Sequence, residues 1–425
     1  MFLTSFSLQQ LKTHRPTQSF EVLSNPEFLA AGTALSDLLY PDRVVIGSSP
    51  TPAGWAAAET LASVYTSWVP RSRIVTINTW SSELAKLVAN CMLAQRISSI
   101  NSISAICEKT GADVDEVSKA VGLDPRIGAK YLKSGIGFGG SCFKKDILSL
   151  VYLAESLTLD EVAEYWTQVL TINEWQRTRF VNRVVKRLNG TLVGKKIAVL
   201  GYAFKKDTDD TRESPALEVI KLLLDDAPKE IAVFDPCCNP GTVKEEIARL
   251  VDASVLKEHG GNIRVFADAY QACSGADAVL IMTDCDQFKN SPSSSISPRP
   301  GHLEKGMKPD PKTVDPRPFQ HVEPTESEIL SLQKHLASIF SVFDPLQRFG
   351  EEPECAEDCD KCANEMEKTI VLRARVNERL DWSRIAYHLQ KPKWVFDGRG
   401  ILNVAEMEAL GVRVESIGKV GWAGR

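Results

Sequence analysis

Residues 134–146 read SGIGFGGSCFKKD, and the chemistry this stretch could perform centres on its cysteine. Four glycines precede Cys142, and Lys144, Lys145 and Asp146 follow it. Glycine gives backbone freedom and close approach, and glycine-rich loops often hold phosphate. This one follows PRIGAKYLK rather than a strand, so it lacks the strand–GxGxxG–helix setting of a dinucleotide fingerprint. Cys142 begins CFKKDILSLVYLAES, which reads as a helix. The unpaired N–H groups and dipole at a helix start favour an anion. Two lysines add positive charge, and all three effects favour the nucleophilic thiolate. Asp146, four residues on, shares the helix face of Cys142 and could order water or take a proton beside the sulfur. The residues alone leave a second reading open, a buried structural cysteine behind a tight loop.

A second cysteine group, Cys355, Cys359 and Cys362, has C-x3-C-x2-C spacing. Radical enzymes hold a 4Fe–4S cluster on such thiolates, and zinc also suits them. Here the spacing lies in EEPECAEDCDKCANE, which is acidic and poor in apolar residues, so an unstructured segment is the expectation.

The elements that must position Cys142 belong to an ordinary globular chain. It has 425 residues, 43% hydrophobic and 25% charged, with net charge −5 and pI about 5.8. This length suits two or three domains. An acidic balance without a basic stripe argues against nucleic-acid binding. No apolar run reaches 18 residues, so no membrane span is expected. The first 20 residues carry too weak an apolar core for a signal peptide, and ten scattered cysteines read as reduced thiols. Cytoplasm is the expected location.

Along the chain, strands are expected at 43–47 and in SRIVTIN, with a helix from Pro52 between them. SSELAKLVANCMLAQRISSINSISAICEKTG predicts one long helix, capped by Ser81 or Ser82 and ended by Gly111. DVDEVSKAVGL is another, and DEVAEYWTQVLTINEWQRTRFVNRVVKRL predicts a helix without Pro or Gly, long enough to connect domains or line a dimer seam. From Gly194 a second α/β layer begins, with strands in KKIAVLGYAF, KEIAVFDP (ending at Asp235) and SGADAVLIMT, and a further strand at 393–396. The Pro/Ser-rich and acidic stretch at 291–380 reads as a disordered insertion.

Several stretches then occur in a telling order: LSNPEFLAAGTA, NTWSSELAKLVANCMLAQRISSINSISAICEKTGADV, GFGGSCFKKD, GYAFKKDTDDTRES and FDGRG. Together they resemble the UDP-glucose 6-dehydrogenases of the UDP-glucose/GDP-mannose dehydrogenase family, over roughly 20–289 and 381–421. The resemblance implies an α/β fold in three parts: a partial Rossmann-like remnant of an NAD-binding domain at 21–79, an all-helical central dimerisation domain with one long connecting helix at 80–188, and a Rossmann-like UDP-sugar-binding domain at 189–290 plus 381–425. Residues 1–20 remain unassigned. It also implies oxidation of UDP-glucose to UDP-glucuronate with NAD as cofactor, no metal, and a homo-oligomer of at least two copies. Cys142 is then the nucleophile that adds to the intermediate aldehyde, giving a thiohemiacetal and, after oxidation, a thioester. Lys86 and Asn90, four apart on one helix, match the pair beside the reacting oxygen. Asp146 matches the carboxylate that works with the catalytic water, and Glu27 the one linked to thioester hydrolysis. Glu27, Phe28, Leu29, Lys133, Phe138, Gly139, Phe204, Lys205, Arg126 and Arg399 match sugar-nucleotide contacts, Arg126 reaching across a subunit boundary. Arg212 and Cys142 face the NAD side.

Three departures shape a further expectation. No G-x-G-x-x-G follows a strand with an acidic residue about 20 positions on, so the chain is expected to join the family pattern late in the NAD-binding domain. Ala31 stands where the family carries a glutamate, and 291–380 interrupts the sugar-nucleotide domain. A truncated start and a retained intron would produce this pattern. Impaired oxidation is therefore expected, the alternative being an inactive UDP-sugar-binding or subunit-pairing relic.

Overall fold

The computed structural model describes residues 10–11, 13–14, 19–30, 32–290 and 378–421. Ala31 and residues 291–377, with Cys355, Cys359 and Cys362, lie outside the described residues, so the expectations placed on them are not addressed.

The N-terminal part is a small α/β layer. Helix α1 (Ala34–Leu39) precedes β1 (Val44–Ser48), α2 (Pro52–Tyr65) and β2 (Ile74–Asn78). Pro52 occupies the first turn of α2, where its missing N–H costs nothing, and the Thr51 hydroxyl caps Gly54 N–H at 3.0 Å. The two strands pair in parallel, Val44 opposite Ile74 through Ser48 opposite Asn78. Val44, Ile46, Ala58, Ala62, Val69 and Ile74 form its core.

Helices dominate the middle. Helix α3 (Thr79–Thr110) is capped by Asn78, whose side chain accepts from Ser81 N–H, so the cap lies three residues before the Ser81 expected from sequence. Ser82 is instead buried against Ser24. Gly111 ends α3 in the left-handed conformation, as its composition suggests. Helices α4 (Val114–Gly122), α5 (Phe143–Ser156) and α6 (Asp160–Arg187) follow. The 28 residues of α6 span about 42 Å. Its first half contributes Ala163, Trp166 and Val169 to the helical core. Its second half contributes Phe180, Val181 and Val184 to the core of the following sheet.

That sheet has six parallel strands: β3 (Lys196–Leu200), β4 (Glu230–Phe234), β5 (Ile263–Val265), β6 (Ala278–Ile281), β7 (Trp394–Asp397) and β8 (Arg413–Ser416). Their spatial order is β5-β4-β3-β6-β7-β8, with a topological switch point between β3 and β6. Helices α7 (Pro215–Leu224), α8 (Pro240–Leu250), α9 (Ala269–Cys273), α10 (Trp382–His388) and α11 (Val404–Ala409) cover it. Strands β3 and β4 are buried along nearly their whole length, as a sheet covered on both faces requires. The chain rejoins this core by Leu380, which is 5% exposed and donates its N–H to Gln287 at 2.8 Å.

Two strand-end carboxylates brace the loops at the switch point. Asp235, after β4, accepts the N–H groups of Tyr202, Ala203, Cys237 and Cys238 at 2.6–3.0 Å. Asp397, at the end of β7 and fully buried, accepts those of Arg399, Gly400, Ile401 and Leu402 at 2.8–3.0 Å. Burial pushes the Asp397 carboxyl up, and the four N–H groups oppose that shift.

An ionic cluster ties α6 and α3 to the last strand. Glu108 meets Arg179 and Arg183, and also accepts Gly418 N–H at 2.8 Å. Glu415, 2% exposed, pairs with Arg187 at 2.7 Å. Removing one partner strands the other charge. Glu415→Ala should therefore cost about 3 kcal/mol, read as a lower urea midpoint at unchanged slope. An unchanged midpoint would show that the cluster adds nothing. Asp397→Asn should weaken charge-assisted bonds to the 399–402 amides by about 2 kcal/mol, seen as faster hydrogen exchange confined to that loop.

Candidate active site

Cys142 is the N-cap of α5, with its side chain exposed and making no capping bond. Its sulfur lies 3.8 Å from the Ser141 hydroxyl. Of the free cysteines among the described residues, Cys237 is half-buried, Cys142 is exposed and the others are buried. Cys91, one residue from Asn90, illustrates the contrast: burial and the Asp146 charge push its thiol up to about 12.

The charges around Cys142 are paired rather than free. Lys144 meets Glu213 at 3.1 Å, and Lys145 meets Asp146 at 3.5 Å. Asp146 is 3% exposed, and its other oxygen accepts Asn90 Nδ2 at 2.6 Å. A buried carboxylate needs such donors. Its N–H donates to the Cys142 carbonyl at 2.9 Å, the first helical bond of α5. Helix α3 thus supplies the donor and α5 the acceptor of a locked pair beside the cysteine.

Lys86, one turn before Asn90 on α3, reaches the NPEF segment. Its Nζ donates to the Glu27 carbonyl and pairs with the Glu27 carboxylate at 3.0 Å. Burial raises the Glu27 carboxyl, but the Leu29 N–H, Lys86 and the Lys145 charge outweigh it and hold the group below its usual range. Phe28 takes Arg43 over its ring at 4.0 Å and Lys86 at 5.4 Å. An open cleft of about 930 Å³ runs between these groups, lined by Pro26, Lys86, Leu87, Ser141, Lys145 and Tyr152 among others.

The second flank is the sheet's switch point. Gly139 packs so closely that an added Cβ would lie 2.4 Å from the Glu213 carbonyl. That close approach explains the glycine loop: it lets the Cys142 segment lie against the nucleotide-type sheet, and no phosphate cradle is required. Phe204, after β3, is half-buried with Lys205 Nζ 5.6 Å from its ring. Lys133 pairs with Asp284, after β6, at 2.9 Å. Burial raises the Asp284 carboxyl, yet Lys133 and Lys289 together hold it below its usual range. Arg399, after β7, donates Nε to the Met282 carbonyl at 2.6 Å and a second nitrogen to the Gly137 carbonyl at 3.1 Å. Burial lowers its guanidinium to about 10. An anion placed there would offset that penalty.

The structure thus gathers Glu27, Phe28, Leu29, Lys86, Asn90, Cys142 and Asp146 on one flank, and Lys133, Gly139, Phe204, Lys205 and Arg399 on the other, while the Phe138 ring is buried in the helical core against Phe143. Arg126 is not brought in: its side chain is 87% exposed and bonded to Asp124. Arg212 is 67% exposed and paired with Asp210 at 2.7 Å, close enough to Cys142 for the thiolate to contribute to its raised pKa. Sequence reasoning missed Asp397 and the amides Asn101, Asn173 and Gln176, which touch the glycine loop or its neighbour. Their signal was available in part, since Asn173, Gln176 and Arg177 share one helical face by spacing.

Sequence models of three parts of the UDP-glucose/GDP-mannose dehydrogenase family match this chain: the NAD binding domain over 4–69, the central domain over 80–175 and the UDP binding domain over 198–317. The first begins within the stretch left unassigned above. UDP-glucose 6-dehydrogenase of Bos taurus is 54% identical over 286 residues, 65% of this chain and 55% of that protein. The Caenorhabditis elegans enzyme of that name is 52% identical over 281 residues, 66% of this chain and 58% of that protein. This chain therefore spans little more than half the length of these relatives. A UDP-glucose dehydrogenase structure from Pyrobaculum islandicum matches with a TM-score of 0.57 at 34% identity, covering 65% of this chain and 59% of that one. A UDP-D-ManNAc dehydrogenase from Pyrococcus horikoshii, 19% identical, matches in fold with a TM-score of 0.60 over 98% of this chain and 70% of that one. With all three parts represented in order, the chain belongs to the UDP-glucose/GDP-mannose dehydrogenase family.

Proposed function

We propose that this chain oxidises UDP-glucose to UDP-glucuronate with NAD as hydride acceptor, through a covalent intermediate on Cys142. The observation that carries this reading is the exposed sulfur at a helix start, flanked by the Lys86–Glu27 and Asn90–Asp146 pairs, on a loop whose Gly137 carbonyl meets the buried cation Arg399 at the sheet's strand ends. Arg399, Lys133 and Lys205 suit the diphosphate, and Phe204 with the backbone of Phe138 and Gly139 suits the uridine and sugar. Phe28 and Leu29 border the sugar from the NPEF segment.

NAD, when bound, would accept one hydride in each of two successive oxidations, so two molecules are consumed per substrate. The cleft of about 930 Å³ beside Cys142, with Pro26, Leu87 and Tyr152 among its walls, would take its nicotinamide end. In the first oxidation, Lys86 and Asn90 stabilise the alkoxide character of the C6 oxygen as its proton passes to solvent through the open cleft. The Cys142 thiolate then adds to the C6 aldehyde, forming a C–S bond and a thiohemiacetal oxygen that Lys86 can protonate. As the second C6 hydride leaves, Lys86 takes that proton back and a thioester remains. Water, oriented by Asp146 and Glu27, attacks its carbonyl. Asp146 accepts a proton from that water, the C–S bond breaks, and the acid leaves while Cys142 is regenerated as thiolate. The lowered Glu27 carboxyl keeps that group ionised across neutral pH, so no acid limb near neutrality should trace to it.

Arg126, exposed and partnered within this chain by Asp124, reaches the sugar nucleotide of a second copy, which makes the working form a homo-oligomer. Among the described residues no helix is long and apolar enough to cross a membrane, which is compatible with a cytoplasmic enzyme.

Purified chain given UDP-glucose and NAD should yield two NADH per UDP-glucuronate. Cys142→Ala should release no acid. Lys86→Ala should lower kcat by about 10²–10³. UDP-glucose binding without any NADH would instead identify a non-catalytic UDP-sugar binder.

A further inference from the structure

The glycine loop rests on side-chain amides to which the proposed chemistry gives no role. Asn173 of α6, 4% exposed, grips Phe138 at both backbone groups. Its Oδ1 accepts the Phe138 N–H at 2.9 Å, and its Nδ2 donates to the Phe138 carbonyl at 3.1 Å. Arg177 donates to the same carbonyl at 2.5 Å, and Gln176 donates to the Gly135 carbonyl at 2.7 Å. From α3, Asn101 accepts the Gly135 N–H at 2.9 Å. Positions 173, 176 and 177 form one helical stripe, and Phe180, one turn on, packs edge-on against Phe396 of β7. The fit leaves no slack: Gly137 has φ +99°, and a Cβ there would lie 2.3 Å from Asn173 Oδ1. The loop's other edge meets the sheet, where Ile136 N–H donates to the Gly398 carbonyl at 3.0 Å and Arg399 donates to Gly137.

We propose that Asn173 is a positioning residue for the sugar nucleotide: its two-ended grip, supported by Asn101, Gln176 and Arg177, sets Phe138 and Gly139 between Cys142 and Arg399. This rests on reading the site as a UDP-sugar pocket. A buried amide serving stability alone needs its atoms satisfied by any partner. One that holds the donor and acceptor of a single pocket residue also fixes where that residue stands, and misplacement by about 1 Å is costly to binding geometry.

The test is UDP-glucose titration by calorimetry, with iodoacetamide labelling of Cys142 in the presence and absence of UDP-glucose. Asn173→Ala should weaken binding about 10- to 100-fold and remove the ligand's protection of Cys142. Where turnover is measured, KM should rise while kcat at saturation stays within about threefold. Asn173→Asp keeps the acceptor for the Phe138 N–H but sets a carboxylate oxygen against the Phe138 carbonyl, so it should weaken binding as well. It also decides the matter by the same readouts if the alanine variant does not fold. Wild-type protein that fails to bind UDP-glucose would overturn the reading of the site. Wild-type binding matched within twofold by the variants, with protection intact, would overturn the positioning role.

Discussion

One uninterrupted helix, α6, belongs to two hydrophobic cores, and the site depends on that sharing. Trp166 and Val169 are fixed among the central helices, while Phe180 and Val184 are fixed against the six-stranded sheet. A helix cannot shift one end without the other. The residues between, Asn173 to Arg177, therefore stand at a defined height between the layers, where they hold the loop that leads to Cys142. The cluster of Glu108, Arg179, Arg183, Glu415 and Arg187 repeats the connection with charges.

Electrostatics within the cleft follow a second rule: nearly every charge is matched. Asp146 has Asn90 and Lys145, Glu27 has Lys86, and Lys133 has Asp284. Arg399 differs, since it donates to the neutral carbonyls of Met282 and Gly137, and burial lowers its pKa despite the nearby Asp284 and Asp397 charges. A group so placed gains from an anionic ligand, and a diphosphate supplies one. Cys142 differs in another way. It is exposed at a helix start, whereas Cys91 nearby is sealed in the core.

Much of the fold was legible because its longer elements are strongly patterned. The helices Thr79–Thr110 and Asp160–Arg187 are long runs free of Pro and Gly, and the strands Lys196–Leu200 and Glu230–Phe234 are short continuous apolar runs bounded by polar or turn residues. Strands β5 and β8, of three and four residues, and the six-residue α11 were not anticipated. Elements that short have too few positions to show a period, and their neighbours in the sheet stabilise them. The Asn78 cap was missed because the adjacent Ser81 and Ser82 have the same chemistry, and only burial of Ser82 tells them apart.

By itself the sequence determined the family and the α/β–helical–α/β order, and it singled out Cys142 as the candidate nucleophile, since those readings reside in motifs and periods carried by neighbouring residues. Tertiary structure alone decided which partners each charge would meet, because Lys133 and Asp284 lie 151 positions apart and Gly137 and Arg399 lie 262 apart. It also gave the glycines their reason. Their worth lies in contacts with Glu213 and Asn173, made by backbone approach across the fold, and no local pattern records which atoms will stand on the other side.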